Sequence, residues 1–219
     1  MQPSQSALNR QQRKHQVDEQ RNAILAAAEK LFLEKGLDKT QMVDIAAAAG
    51  ISKVTLYRYF PHIDAIAVEV QIRMLERIAS TVGLEAEDLD PSLETVKAAV
   101  QQMVRSFDRL RDAYRYIGMF DSLYLDHPFD AEIPQRTKDR LRARWKGLVL
   151  VERSKSLSES GRAEVILSAT IWFLEKIALR GELTWSDAAI PLEAHLGIFE
   201  EMIVVYIEHC LHENESGDQ

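Results

Sequence analysis

The stretch Asp44-Ile45-Ala46-Ala47-Ala48-Ala49-Gly50-Ile51-Ser52-Lys53-Val54-Thr55-Leu56-Tyr57-Arg58-Tyr59-Phe60 decides the fold. Gly50 stands between two short helical patterns, Gln41–Ala49 and Lys53–Phe60, where only a residue tolerant of positive φ turns the chain tightly. Thr40 and Ser52 sit at the two N-cap positions, since a hydroxyl there accepts from the first free N–H groups. Pro61 closes the second pattern. Ile45, Ala46, Ala49, Ile51 and Leu56 supply a small core, and Ala46 and Ala49 are small where two helices cross. Upstream, Asp18–Lys35 reads as a helix with Ile24, Ala28, Leu31 and Phe32 on one face and Gly36 as its C-terminal cap. Three helices with a glycine turn between the second and third form a helix-turn-helix, whose last helix enters the DNA major groove N-terminus first.

A rotation of about 100° per residue sorts that last helix into faces. Leu56 and Phe60 face inward. Val54 and Arg58 then face the groove, with Thr55 and Tyr57 beside them, Lys53 at the leading end and Ser52 at the cap. Arg58 and Lys53 are suited to guanine O6 and N7, and Val54 to a thymine methyl. The hydroxyls of Thr40, Thr55, Tyr57 and Tyr59 are suited to phosphate oxygens, which set register rather than sequence.

The remainder of the chain is also helical by periodicity, so the sequence predicts an all-α protein of about nine helices. A longer helix follows at Ile63–Val82. Val100, Met103, Phe107, Leu110, Tyr114 and Ile117 then repeat at three and four, the stripe of an amphipathic helix. A loop with two prolines, Asp126–Pro134, precedes a basic helix at Gln135–Ser158, whose charges read as a solvated face. Ala163–Arg180 and Pro191–Leu211 are apolar nearly all round. On the last, Leu192, Leu196, Phe199, Ile203 and Tyr206 form one stripe while Ile198, Met202 and Val205 lie off it. A helix apolar on two sides has to bury both, and a second copy of the chain is the simplest partner for the outer side. The predicted organisation is a flexible basic arm (1–17), a helix-turn-helix domain (18–62), an effector and dimerisation domain (63–212) and a flexible tail (213–219). Within the third segment, large apolar residues with polar handles suit a small-molecule pocket, although an aromatic stripe at helical spacing also reads as core: Met103, Phe107, Tyr114, Met119 and Phe120, with Trp145, Trp172 and Phe173 further on.

Composition narrows the function. The net charge of −7 speaks against a nucleic-acid binder, yet its distribution does not. Residues 1–63 hold nine Lys and Arg against six Asp and Glu, which leaves the acidic balance on the rest. Cys210 is the single cysteine, so no internal disulfide forms. The polar start lacks a secretory h-region, and the most apolar stretch, Val165–Leu179, is interrupted by Glu175 and Lys176 and too short to span a bilayer. A cytoplasmic protein without a membrane segment is expected. No phosphate-binding loop, dinucleotide fingerprint or zinc-type cysteine pair is present, so neither an enzyme nor a cofactor is expected. Two weak metal candidates, Asp126/His127/Asp130 and Glu208/His209/Cys210/His212, read better as turn chemistry and a polar helix end, and no metal is expected.

The run from Gly36-Leu37-Asp38-Lys39-Thr40 through Asp44-Ile45-Ala46 to Ala49–Phe60 resembles the TetR/AcrR family of regulators, densely over about Ala23 to Ile66. The resemblance implies a homodimeric, all-helical repressor whose C-terminal domain binds a small molecule and whose last two helices build a four-helix dimer bundle. Its partners would be a palindromic double-stranded operator and a small, largely apolar effector. Two positions depart from the family pattern. Ile63 stands where a phosphate-gripping lysine is usual, with His62 beside it as a partial substitute, and Val54 stands where glycine is common.

Overall fold

The structure, a computed structural model, describes residues 5–83, 92–124, 159–180 and 190–217. All regular elements among them are helices: α1 (Gln5–Lys35), α2 (Met42–Ala48), α3 (Lys53–Tyr59), α4 (Ile63–Val82), α5 (Leu93–Arg105), α6 (Phe107–Tyr124), α7 (Glu159–Arg180) and α8 (Leu192–Gly217). The proline loop and basic helix expected between Asp126 and Ser158, with Trp145, lie outside the described residues. The chain separates into two compact units, Met1–Gln71 and Ile72–Gln219, with the division inside α4. The sequence reading had put a boundary at 62/63, the start of that helix.

In the first unit, α1 packs on α2 and α2 on α3. Ile24, Leu25, Ala28 and Phe32 of α1 are buried with Ile45, Ala46, Leu56 and Phe60. Burial of each large apolar side chain contributes about 1.5–3 kcal/mol. The Arg21 guanidinium sits 4.6 Å from the Phe60 ring centroid and pairs with Glu69 at 2.8 Å, so one side chain ties α1 to the end of α3 and to α4. α1 starts at Gln5, and the segment expected as an arm is therefore helical from that residue on. Its sequence explains this: no Gly or Pro interrupts residues 4–35, and Gln, Arg, Lys, Ala and Leu are good helix formers. Residues 11–19 are exposed, so only propensity and local pairs such as His15–Glu19 hold them.

In the second unit, α6 packs on α7, and α5 packs on α6, α7 and α8. The stripe read from Val100 to Ile117 is buried throughout. It belongs to two helices, however, because the chain breaks at Ser106, whose hydroxyl donates back to the Gln102 carbonyl. Such back-bonding competes with the backbone ladder and bends helices, while the spacing of the stripe survives. Phe173 of α7 stacks on Phe199 of α8 with centroids 3.9 Å apart, and Lys97 of α5 pairs with Glu208 of α8 at 2.5 Å. That pair holds the Glu208 carboxyl below its ordinary range. Gly118 lets α6 and α7 approach: a Cβ there would lie 2.7 Å from Leu179 Cδ1. The C-terminal residues expected as a tail continue α8 as far as Gly217.

Candidate DNA-binding site

The turn between α2 and α3 follows from Gly50. At φ 66° it leaves the helix in the left-handed region. Its N–H donates to the Ala47 carbonyl and the Ile51 N–H to the Ala46 carbonyl, the paired bonds of a Schellman cap. Ser52 then starts α3 as its N-cap, accepting from the Thr55 N–H at 3.1 Å, and the two hydroxyls share a further bond of 2.9 Å. At the other end of α2 the cap differs from the expectation. Gln41, not Thr40, is the N-cap, and the Asp44 carboxylate accepts from its N–H. Thr40 is only 5% exposed, and its hydroxyl donates to the Gly36 carbonyl at 2.8 Å. It pins the α1–α2 turn and is not displayed to a partner.

α3 presents a clear outer face. Leu56 and Phe60 are buried, as the rotation argument requires. Lys53, Val54, Tyr57 and Arg58 are exposed, Val54 at 75%. Lys53 Nζ lies 5.9 Å from the Tyr57 ring centroid, which steadies the ring and leaves the charge at the leading end. Thr55 and Tyr59 are half-buried, and the Ser52 and Thr55 hydroxyls are already engaged in the cap. Besides the capping Ser52, the exposed candidates are thus two cations, one phenol and one apolar contact. Val43 on α2 is also half exposed and was not selected from the sequence, where it reads as one more apolar residue. His62 Nδ1 accepts from the Ala65 N–H at 3.3 Å, capping α4. A neutral ring accepting at Nδ1 carries its proton on Nε2, so that edge remains a donor. Ile63, where a lysine is usual, is half-buried.

The sequence model of the family described as "Bacterial regulatory proteins, tetR family" matches residues 24–70, which span the α1 core, the turn and α3. Residues 24–70 thus carry the sequence of a TetR-family regulator's matched region. Among TetR-family relatives, the transcriptional activator FasR of Mycolicibacterium smegmatis is 28% identical over 111 residues, 51% of this chain and 50% of FasR. The regulator HbdR of Aromatoleum sp. is 32% identical over 97 residues, 44% of this chain and 42% of HbdR. The chain spans about half the length of the curated relatives it matches. The fold extends further than the sequence likeness. A TetR-family regulator from Marinobacter aquaeolei VT8 superposes with a TM-score of 0.54 at 20% identity, covering 87% of this chain and 96% of that one. AibR, solved with isovaleryl coenzyme A and operator DNA, gives 0.51 at 15%, covering 84% and 96%.

The residues expected around an effector divide into three groups. Met103, Phe107, Tyr114 and Phe120 are buried, and Phe107 stacks on Tyr114 at 5.9 Å. Met119 and Phe173 are half-buried. Trp172 is 61% exposed and lies outside the interior, because α7 turns it outward with Val165, seven residues away. The polar groups of this interior, Glu175 and Asp121, were missed. Glu175 had been read only as an interruption of an apolar run. No described helix is long and apolar enough to cross a membrane.

Proposed function

We propose that the protein is a transcriptional repressor that binds a palindromic operator as a homodimer and is released by a small, largely apolar effector held in its C-terminal unit. The observation that carries this reading is the outer face of α3, where Lys53, Val54, Tyr57 and Arg58 stand exposed on a helix braced by the Gly50 turn and the Ser52 cap. Cations at that face reach guanine edges, and the valine suits a thymine methyl. The second copy is supported by Val165 and Trp172 on α7 and Ile198, Met202, Val205 and Tyr206 on α8, all exposed. The α8 residues recur at helical spacing and so share one exposed apolar face, which suits an interaction surface. The buried aromatic and methionine side chains of α5 and α6 support an effector site, which matches AibR's capture with both a small molecule and DNA. An effector would act by binding unequally to states that space the two α3 helices differently. The protein would work in the cytoplasm, by binding alone and without chemistry of its own.

Selection of bound DNA from a random pool tests the reading. A two-fold symmetric consensus is expected, with half-sites about one helical turn apart. Arg58→Ala should relax one position by about 1–3 kcal/mol. Failure to enrich any sequence over random competitor overturns the assignment.

A further inference from the structure

Tyr114, Gly118 and Asp121 follow one another at four and three residues and so share one face of α6. That face meets Glu175 and Leu179 of α7: a Cβ on Gly118 would lie 3.4 Å from Glu175 Cβ and 2.7 Å from Leu179 Cδ1. The close crossing brings two carboxyls and a phenol together inside the unit. Glu175 is 3% exposed. The Tyr114 hydroxyl is buried and has no hydrogen-bond partner. An unpaired hydroxyl beside a buried carboxyl is an expensive arrangement unless something binds there.

The charges do not balance. Among the described residues the groups acting on Glu175 are Asp121 from α6 and Lys176, its own neighbour. The lysine's ammonium lies 5.7 Å from the ring of the exposed Trp172, drawn towards the surface. Burial first, then the Asp121 charge, push Glu175 up to about 8, with Lys176 pulling the other way. Burial pushes Asp121 up to about 6. The same burial, reinforced by the Glu175 charge, raises the Tyr114 hydroxyl above the usual phenol range. Burial therefore keeps the proton on Glu175 near neutral pH, while Asp121 beside it is largely ionised.

We propose that the Tyr114–Asp121–Glu175 cluster is the recognition site for an organic ammonium ion. A protonated amine offers three donors to the two carboxylates and the phenol oxygen. Tyr114 stacks on Phe107, whose ring already has the Arg111 guanidinium 5.3 Å from its centroid, so the aromatic surface left for a desolvated cation and its apolar body is that of Tyr114. A metal ion fits less well: among the described residues no three His, Cys, Asp or Glu side chains are grouped to hold one. This assignment rests on the effector reading above and names the ligand's chemical class. Binding ionises Glu175 and releases its proton, so affinity rises with pH through the range from about 6 to about 8.

The test is calorimetry on the full-length protein without DNA, using three probes of similar shape: phenethylammonium, phenethyl alcohol and phenylacetate. The ammonium should bind at least about tenfold tighter than the other two, with proton release and a pH-dependent affinity. Glu175→Gln should erase that preference and the proton release. Tyr114→Phe, which keeps the ring, should weaken the ammonium several-fold and guards against a misfolded first variant. No preference for the ammonium, including no binding by any probe, overturns the proposal, as does a preference that survives Glu175→Gln. A separate gel shift distinguishes the two readings. An ammonium that binds without altering operator affinity leaves this site standing and removes its regulatory role.

Discussion

Gly50 adopts a backbone conformation that an L side chain enters only at a penalty of about 1–2 kcal/mol. Nothing lies within 4 Å of where its Cβ would be, so the penalty is conformational alone and not a clash. Gly50→Ala should therefore lower stability by about 1–2 kcal/mol in urea unfolding, and Gly50→Asn by less, because asparagine tolerates the left-handed region. Equal losses for both would show that contacts, not φ, govern this position. The same scale explains why two hydroxyls with one chemistry serve different ends. Thr40 is turned inward by its bond to the Gly36 carbonyl, and Ser52 is held by its bond to Thr55, whereas Tyr57 has too long a side chain to fold back and stays exposed.

At the scale of elements, Gly118 permits a close crossing of α6 and α7, where a Cβ would lie 2.7 Å from Leu179 Cδ1. Gly118→Val would place new carbons against Leu179 and Glu175, and overpacking of this kind destabilises by about 1–3 kcal/mol. Pairing it with Leu179→Ala should recover part of that loss, since neighbouring substitutions do not act additively. Unfolding of the single and double variants in urea checks both statements, and a fully additive double variant would place the strain elsewhere. The break between α5 and α6 illustrates a complementary effect. One serine back-bond divides a helix that periodicity reads as continuous, yet Met103 and Phe107 remain buried on either side of it.

Two properties belong to the molecule as a whole. The exposed apolar residues of α7 and α8 are where the proposed dimer would bury its surface. Trp172→Glu together with Met202→Glu should halve the mass in sedimentation and abolish operator binding while α3 is untouched. An unchanged mass would rule these faces out as the interface. The buried acids set the pH response. Glu175 sits at about 8 when folded against an ordinary value of 4.5, so the folded state binds a proton that the unfolded chain releases. Its stabilising contribution is complete below about pH 4.5 and is lost as pH rises through about 8. The difference in Tm between wild type and Glu175→Gln, followed from acid to alkaline pH, should move steadily in favour of the variant. A difference that is flat with pH would mean that folding leaves the Glu175 carboxyl at its ordinary value.

The sequence by itself determined the helix-turn-helix, for a physical reason. Glycine turns, caps and a three-to-four spacing are local rules, so Gly50, Ser52, Leu56 and the outward Val54 and Arg58 were legible from neighbours in the chain. The bounds of α4 were legible in the same way. What only the tertiary structure decided depends on residues far apart in sequence. Burial of Thr40, exposure of Trp172 and the meeting of Tyr114 and Asp121 with Glu175 carry no local signature, because each follows from which helix packs on which face. A carboxylate in an apolar run looks like an interruption until the opposite helix shows what stands beside it.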